Sequence, residues 1–481
     1  MVHGNGKKWA FLVAALGAMY ATNAFAADVT DVLDAADEVY LGNEKVSDPF
    51  DISLTPKFSQ RHEWAKLKRE YFDKSTSQIR LLNELEYKRV VNKMDLDLEI
   101  GLFHDLSFRM NLPIIISDQA SYKFDTSSSD PEFRIGKNNS WFSPSVIAGD
   151  RPYHFFELAE GQTLKGRDRS GIGDMSFGIA WSPYNTERHF IPERPWEGNT
   201  GRSTVTLSFD YKAPTGKMRG IDNSGAGFGA HELIFAVAAS HRFSFVDPYI
   251  RIQYGLPIGT DSAYPDYGAN QTRVDPGMWA RIDLGIEFIP YESIDVKFQR
   301  FVKIDLRGYF KYTAEGRAYS ELADAFGKGT CYNSDGTGAG CAWVTQKWSN
   351  AGADNIQAVA NGTYSGNYKE DGLFDYEGFG AIGGALNLTI QPLQYLSIVA
   401  GVAADYEQNH FITYTKLGKD RHTYNAKGEL VASDQKDGLI TENAFEERSP
   451  TYSKALDAVG SRIKRVESIN LEWFVGLKLM Y

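Results

Sequence analysis

From Val466 to Tyr481 the residues Ile469, Leu471, Trp473, Val475, Leu477, Leu479 and Tyr481 are apolar at every second position, while Ser468, Asn470, Glu472, Gly476 and Lys478 fall between them; only Phe474 breaks the pattern. A period of two puts the two sets on opposite faces of a strand. The same alternation recurs through the chain. Met94, Leu96, Leu98, Ile100 and Leu102 alternate with Asp95, Asp97, Glu99 and Gly101. Further runs include Leu106 to Leu112, Met175 to Trp181, Val205 to Tyr211, Leu233 to Ala239 and Ile250 to Leu256. Beyond them come Ile282 to Phe288, Ile304 to Tyr312, Ile382 to Ile390 and Leu396 to Tyr406. With a first strand over Ile79 to Val90 and a tight turn at Asn92-Lys93, the pattern predicts about twelve strands, each near the length that a tilted membrane strand needs.

A soluble sandwich shares this alternation, so a compartment has to separate the two. Lys7 and Lys8 precede the apolar run Trp9 to Tyr20, and Ala24-Phe25-Ala26 forms a small-x-small cleavage site, which predicts an export signal over residues 1–26. The run is too short for a stable anchor in a bilayer core of ~30 Å. The expected fold class is therefore all-β, a transmembrane antiparallel up-and-down barrel over residues 77–481 in the outer membrane of a Gram-negative bacterium. Outer-membrane lipid is its surroundings, and the barrel assembly machinery is its partner during biogenesis, with Tyr481 at the periplasmic rim.

Connection lengths supply direction. With both termini in the periplasm, the turns at His104-Asp105, Ser244 to Asp247, Tyr291 to Ser293 and Gln391 to Gln394 are short. The opposite connections, Ser117 to Ser170, Pro214 to Gly229, Gly259 to Pro276, Ala314 to Glu377 and Asn409 to Arg465, are long. Outer-membrane barrels have this asymmetry. Asn92-Lys93 and the long stretch Pro183 to Gly201 are its two exceptions. Residues 27–76, rich in Asp, Glu and Lys, read as a periplasmic extension or a plug, weakly helical over Asp31 to Tyr40 and Glu63 to Phe72.

Composition fits a barrel whose polar lumen dilutes its apolar face. Mean hydropathy is −0.37, Gly, Tyr and Phe are plentiful, and the formal charge is −11, a sign that disfavours nucleic acid. Cys331 and Cys341, the two cysteines of the chain, predict a disulfide across a surface loop in an oxidising envelope; a metal pair and two free thiols are the weaker readings.

Polar positions on the strands predict a charged lumen: Asp95, Asp97 and Glu99 on one strand, Arg281, Asp283 and Glu287 on a second, Asp305, Arg307 and Lys311 on a third. They line a pore that selects by charge, or they fill a narrow barrel with ion pairs. Phe108, Trp181, Tyr211, Tyr254, Phe288, Tyr312, Tyr406, Trp473 and Tyr481 lie near strand ends on the opposite face, where aromatic girdles form. No zinc-protease, nucleophile-elbow or phosphate-loop motif occurs, and nothing calls for a cofactor or metal. The pairs His231-Glu232 and Ser240-His241 point to opposite faces within each strand, so a hydrolase would have to pair residues across strands.

Gly171-Ile172-Gly173-Asp174-Met175-Ser176-Phe177-Gly178 opens one strand and Ala213-Pro214-Thr215-Gly216-Lys217 closes the next, followed by Gly225, Gly227 and Gly229. The same residues are also good turn chemistry with no ligand needed. Together they resemble the outer-membrane family associated with the meta-pathway of phenol degradation, barrels related to fatty-acid and aromatic-compound transporters. The matched region spans Gly171 to Gly259, and the long loops depart from that family. The resemblance implies an outer-membrane channel or transporter for small solutes, hydrophobic or aromatic ones included. The alternative is a non-transporting surface protein with partner-binding loops; an outer-membrane hydrolase comes third.

Overall fold

The computed structural model describes residues 30, 32–33, 38–41, 44–47, 52–73, 75–103, 105–126, 163–185, 203–220, 224–266, 271–295, 298–326, 372–393, 395–418, 427, 449 and 457–481. Nearly all of this is strand. Twelve long antiparallel strands close a barrel: β3 (Ile52–Asp73), β4 (Gln78–Phe103), β5 (Leu106–Phe124), β8 (Ser176–Asn185), β9 (Ser203–Lys212), β10 (Ala230–His241), β11 (Val246–Gly259), β12 (Trp279–Asp295), β13 (Phe298–Thr313), β16 (Phe379–Leu393), β17 (Leu396–Glu407) and β19 (Ile463–Met480). The seam lies between β19 and β3, with Val475 opposite Phe58 and Leu479 opposite Leu54. Short strands prolong the wall outward: β6 (Leu164–Lys165) and β7 (Arg169–Ile172) beside β5, then β14 (Gly316–Tyr319), β15 (Leu373–Tyr376) and β18 (His410–Thr413). A separate hairpin joins β1 (Glu38–Leu41) to β2 (Glu44–Ser47), β1 taking up the end of the stretch Asp31 to Tyr40 expected as weakly helical.

The barrel begins earlier than the sequence pattern indicates. Ile52–Asp73, expected as part of a periplasmic extension or plug, is the first strand, paired to β4 on one side and β19 on the other. The expected turn at Asn92-Lys93 is absent, because Gln78–Phe103 runs as one strand with only a register shift at that point. One strand gained and two merged leave the count at twelve. The alternation of Ile52, Leu54, Pro56 and Phe58 against Ser53, Thr55, Lys57 and Ser59 is overlaid farther along by charge on both faces. That charge exists because β3 outruns the membrane. Twenty-two residues at ~3.3 Å each, tilted by about 40°, rise roughly twice the ~25 Å of an apolar belt.

Outward side chains define that belt. Leu284, Leu306, Ile382 and Phe235 are about half exposed or more, an arrangement that only a lipid solvent makes favourable. Aromatic residues border it on both sides. Trp181, Tyr184, Phe245, Phe288, Tyr291, Tyr395 and Tyr481 are exposed at the periplasmic edge, Tyr254, Tyr312 and Tyr406 at the outer edge. Tyr211 stands at the outer edge too, its ring stacked on His231 at 5.9 Å, and Phe108 is half-buried beside the periplasmic turn. Trp473 is exposed lower on the face it shares with Ile469. The closed wall with its lipid-facing belt is that of an outer-membrane barrel.

Inside, Phe474, the residue that broke the terminal alternation, is buried in the lumen against Gly401 of β17. A Cβ on Gly401 would stand 2.5 Å from the Phe474 ring. The glycine leaves a recess in the wall that the ring occupies.

Candidate functional site

The interior is stratified. At the outer end an apolar cluster roofs the lumen: Ala65, Leu67, Leu85, Tyr87, Ala120 and Tyr122 from β3 to β5, with Leu373, Phe374, Ile412 and Ile463 from the opposite side. Helix α1 (Leu322–Phe326) belongs to this roof. Leu322 and Ala323 are buried in it, and the Tyr122 hydroxyl donates to the Glu321 carbonyl. The expected outer loop Ala314 to Glu377 thus folds back over the barrel mouth where it is described.

Beneath the roof lies a cavity of about 180 Å³ lined by Ser59, Arg61, Glu63, Arg89, Lys93 and Asp95 on one wall and by Asp174, Lys212, Arg219, Glu232 and Ile234 on the other. Its upper charges are tightly paired. Arg89 donates to Asp118 from Nε at 2.6 Å and from Nη2 at 2.8 Å, and reaches Glu321 at 3.1 Å. Arg219 stands 3.1 Å from Asp118 and 3.4 Å from Glu321, and Arg61 lies 2.9 Å from Glu63. These pairs tie the strand wall to the folded-back segment.

Lower down, the charged rows expected from the strand pattern face one another. Asp95, Asp97, Arg281, Asp283, Glu287, Asp305 and Arg307 are buried in the interior; Glu99 and Lys311 are half-buried on the same faces. Lys93 Nζ is 2.8 Å from Asp95 Oδ2, but Lys57 Nζ is 3.9 Å from Asp95 and 3.6 Å from Asp97, beyond hydrogen-bond length. Asn111 donates to Asp97 at 2.6 Å, and Ser107 to Glu99 at 2.6 Å. Across the lumen, Arg281 meets Asp283 at 2.6 Å, and Asp305 accepts from Tyr249 at 2.7 Å and Asn387 at 2.8 Å. Lys311 Nζ lies 5.0 Å from the Trp279 ring, and Trp279 donates to Glu232 at 2.7 Å. The three expected rows thus share one lumen without making a single cluster.

At the periplasmic end, chain from the amino-terminal region enters the barrel. Thr30 Oγ1 is 2.8 Å from Ser240 Oγ, its carbonyl accepts from Thr206 at 2.7 Å, and Val32 is buried. Part of the expected extension therefore sits in the lumen mouth.

The glycine-rich motifs meet in the wall. The Asp174 carboxylate accepts from Gly216 N at 2.9 Å and from Phe228 N at 2.6 Å, stapling the outer ends of β9 and β10 to the start of β8. Gly216 and Gly227 approach so closely that a Cβ on Gly227 would lie 2.5 Å from the Gly216 carbonyl. This contact accounts for both motifs as wall architecture. The histidines singled out for a hydrolase both hydrogen-bond across strands: His231 Nδ1 is 2.7 Å from the Tyr211 hydroxyl, and His241 Nδ1 is 2.6 Å from Ser203 Oγ. Cys331, Cys341 and the export signal lie outside the described residues. Among the described residues no His, Cys, Asp and Glu group is placed to hold a metal ion.

The sequence pattern places none of Arg61, Glu63, Arg89, Asp118, Lys212, Arg219, Glu232 and Glu472 at a lumen site, and the last also lines the cavity. Glu472 carried a signal, as a polar position of the terminal alternation. Glu63 and Arg89 sit where the apolar belt ends, so no alternation marks their faces.

No family model matches the chain, and no curated protein matches it. Among solved structures, an outer-membrane channel from Pseudomonas putida F1 shares 10% identity over 92% of this chain and 100% of its own, with a TM-score of 0.36. The outer-membrane protease OmpT from Escherichia coli shares 8% over 92% and 100%, at 0.28. A Pseudomonas aeruginosa FadL homologue shares 8% over 89% and 90%, at 0.29. At these scores none of the three decides what this barrel does.

Proposed function

We propose that the protein is an outer-membrane channel for small solutes. The observation that carries this reading is the cavity beneath the roof, whose opposed walls present both signs of charge. Beside it Lys57 Nζ lies 3.9 Å from Asp95 and 3.6 Å from Asp97, ion pairs with no direct hydrogen bond. A buried ammonium without a hydrogen bond, as at Lys57, is costly unless water or a solute reaches it. The lining favours small polar or dipolar solutes. The hydrophobic or aromatic class implied by the phenol-pathway resemblance fits it less well, because an apolar solute would strip water from charged walls without replacing its hydrogen bonds.

Single-channel recording in planar bilayers with liposome swelling by graded neutral, cationic and anionic solutes tests the reading. Conductance with swelling by polar solutes is expected; neither conductance nor swelling overturns it. The second reading, a non-transporting surface barrel, is favoured by one observation, the tightly paired Arg89, Asp118, Arg219 and Glu321 under the roof. It predicts the silent outcome of the same recordings.

A further inference from the structure

On the outward face of β3, β4 and β5 the side chains change in order along the barrel axis, while Leu471 and Ile469 keep the adjoining face of β19 apolar up to the level of Trp64. Apolar Phe58, Met94 and Ile116 end the lipid belt. Next comes a hydrogen-bonded band: Trp473 Nε1 donates to Gln60 Oε1 at 3.2 Å, Gln60 Nε2 to Asn92 Oδ1 at 2.8 Å and Asn92 Nδ2 to Ser117 Oγ at 2.7 Å. His62 lies 3.0 Å from the same Gln60 oxygen and stacks on Trp64 at 5.5 Å and 10°.

Above Trp64 stand lysines. Lys66, Lys68 and Lys88 occupy neighbouring positions of β3 and β4, with Trp64 opposite Lys88; Lys464 pairs in register with Lys68 across the seam; Lys123 is opposite Glu86. Two carboxylates share this surface, Glu467, 2.8 Å from Lys66 and 3.7 Å from Lys68, and Glu86, 2.7 Å from Lys123. Among the described residues, five ammonium groups against two carboxylates on this face leave a cationic surplus, on a chain whose net charge is negative.

We propose that this face binds the phosphate-bearing headgroup of a lipid of the outer leaflet. The order of side chains matches the cross-section of such a molecule: acyl chains against the apolar belt, amide and hydroxyl linkages against Gln60, Asn92 and Ser117, phosphates against the lysines. Charge complementarity selects an anionic headgroup, and the polar band distinguishes a membrane-embedded ligand from a soluble ion. Because the site is outside the wall, it is independent of any route through the lumen.

Native mass spectrometry of the full chain in a mild neutral detergent tests this, with a polyacylated disaccharide diphosphate and the same lipid stripped of its phosphates as probes. The phosphorylated lipid should remain bound and the stripped lipid should not. The triple variant Lys66→Gln, Lys88→Gln, Lys123→Gln should weaken binding by roughly a hundredfold, and the corresponding Lys→Arg triple should restore it. Equal retention of both lipids, an unchanged Gln triple, or displacement of the lipid by inorganic phosphate at equal concentration overturns the proposal. If the Gln triple does not fold, the comparison of the two lipids on the unaltered protein decides alone.

Discussion

Arg169 clasps Asp324 with two nitrogens, Nη2 to Oδ1 at 2.9 Å and Nη1 to Oδ2 at 3.0 Å, and the arginine side chain is fully buried. The pair links β7 in the wall to helix α1 in the roof. Asp324→Ala leaves the guanidinium without its carboxylate, a loss of about 3–5 kcal/mol for a buried pair. The segment carrying Glu321 and Leu322 should then leave the mouth, while twelve strands keep the barrel closed. Single-channel conductance is expected to rise in Asp324→Ala, with the folded form still migrating as a compact species in unheated gels. Unchanged conductance in a folded variant would mean that α1 does not obstruct the path.

Asp174 should matter to the wall rather than to any ligand. Its carboxylate satisfies two backbone N–H groups at once, and Asp174→Ala strands both, at about 1–3 kcal/mol each. Urea unfolding of the variant in detergent should show a lower midpoint, and solute selectivity should be unaltered. A variant as stable as the parent would return the Gly173-Asp174 motif to a search for ligands.

Strand alternation made the barrel and its lipid-facing belt legible in the sequence, since lipid on one side and a polar lumen on the other impose a period of two. It failed where that contrast fails. Above the belt neither face of β3 and β4 meets hydrocarbon, so Lys66, Glu70, Arg80 and Lys88 carry no periodic mark, and the pattern divides β4 at Asn92-Lys93, where two polar residues interrupt one strand. The upper cavity was hidden for a second reason. Arg89, Asp118, Arg219 and Glu321 come from separate stretches, and only barrel closure and the folded-back segment bring them together.

The recess at Gly401 makes a separable claim. Gly401→Ala would place a Cβ 2.5 Å from the Phe474 ring and 2.2 Å from Asn387 Oδ1, an overpacking expected to cost about 1–3 kcal/mol. Phe474→Ala leaves a void instead, and the two changes together should be less damaging than their separate effects added. A double-mutant cycle from unfolding midpoints measures this coupling. Strict additivity would show that the ring and the glycine do not share the space.

The outer hairpin should be sensitive to acid through Glu70. Burial pushes its carboxyl up, but the Arg462 side chain and the Gly460 amide, bonded at 2.9 Å each, outweigh that and hold it below the ordinary carboxylate range. A carboxylate whose folded value is depressed stabilises fully above its unfolded value, and the contribution fades as pH falls through the folded one. The contact of β3 with residues 457–463 should therefore loosen only below the ordinary carboxylate range. Glu70→Gln should remove the dependence, because an amide cannot titrate and loses the charge-assisted bonds at every pH. Hydrogen exchange in peptides covering Gly460 and Arg462 checks it: the protection that separates the parent from Glu70→Gln should be largest near neutral pH and shrink on acidification. A difference that is constant with pH would assign the protection to the backbone bond from Glu70 N to the Arg462 carbonyl and not to the carboxylate.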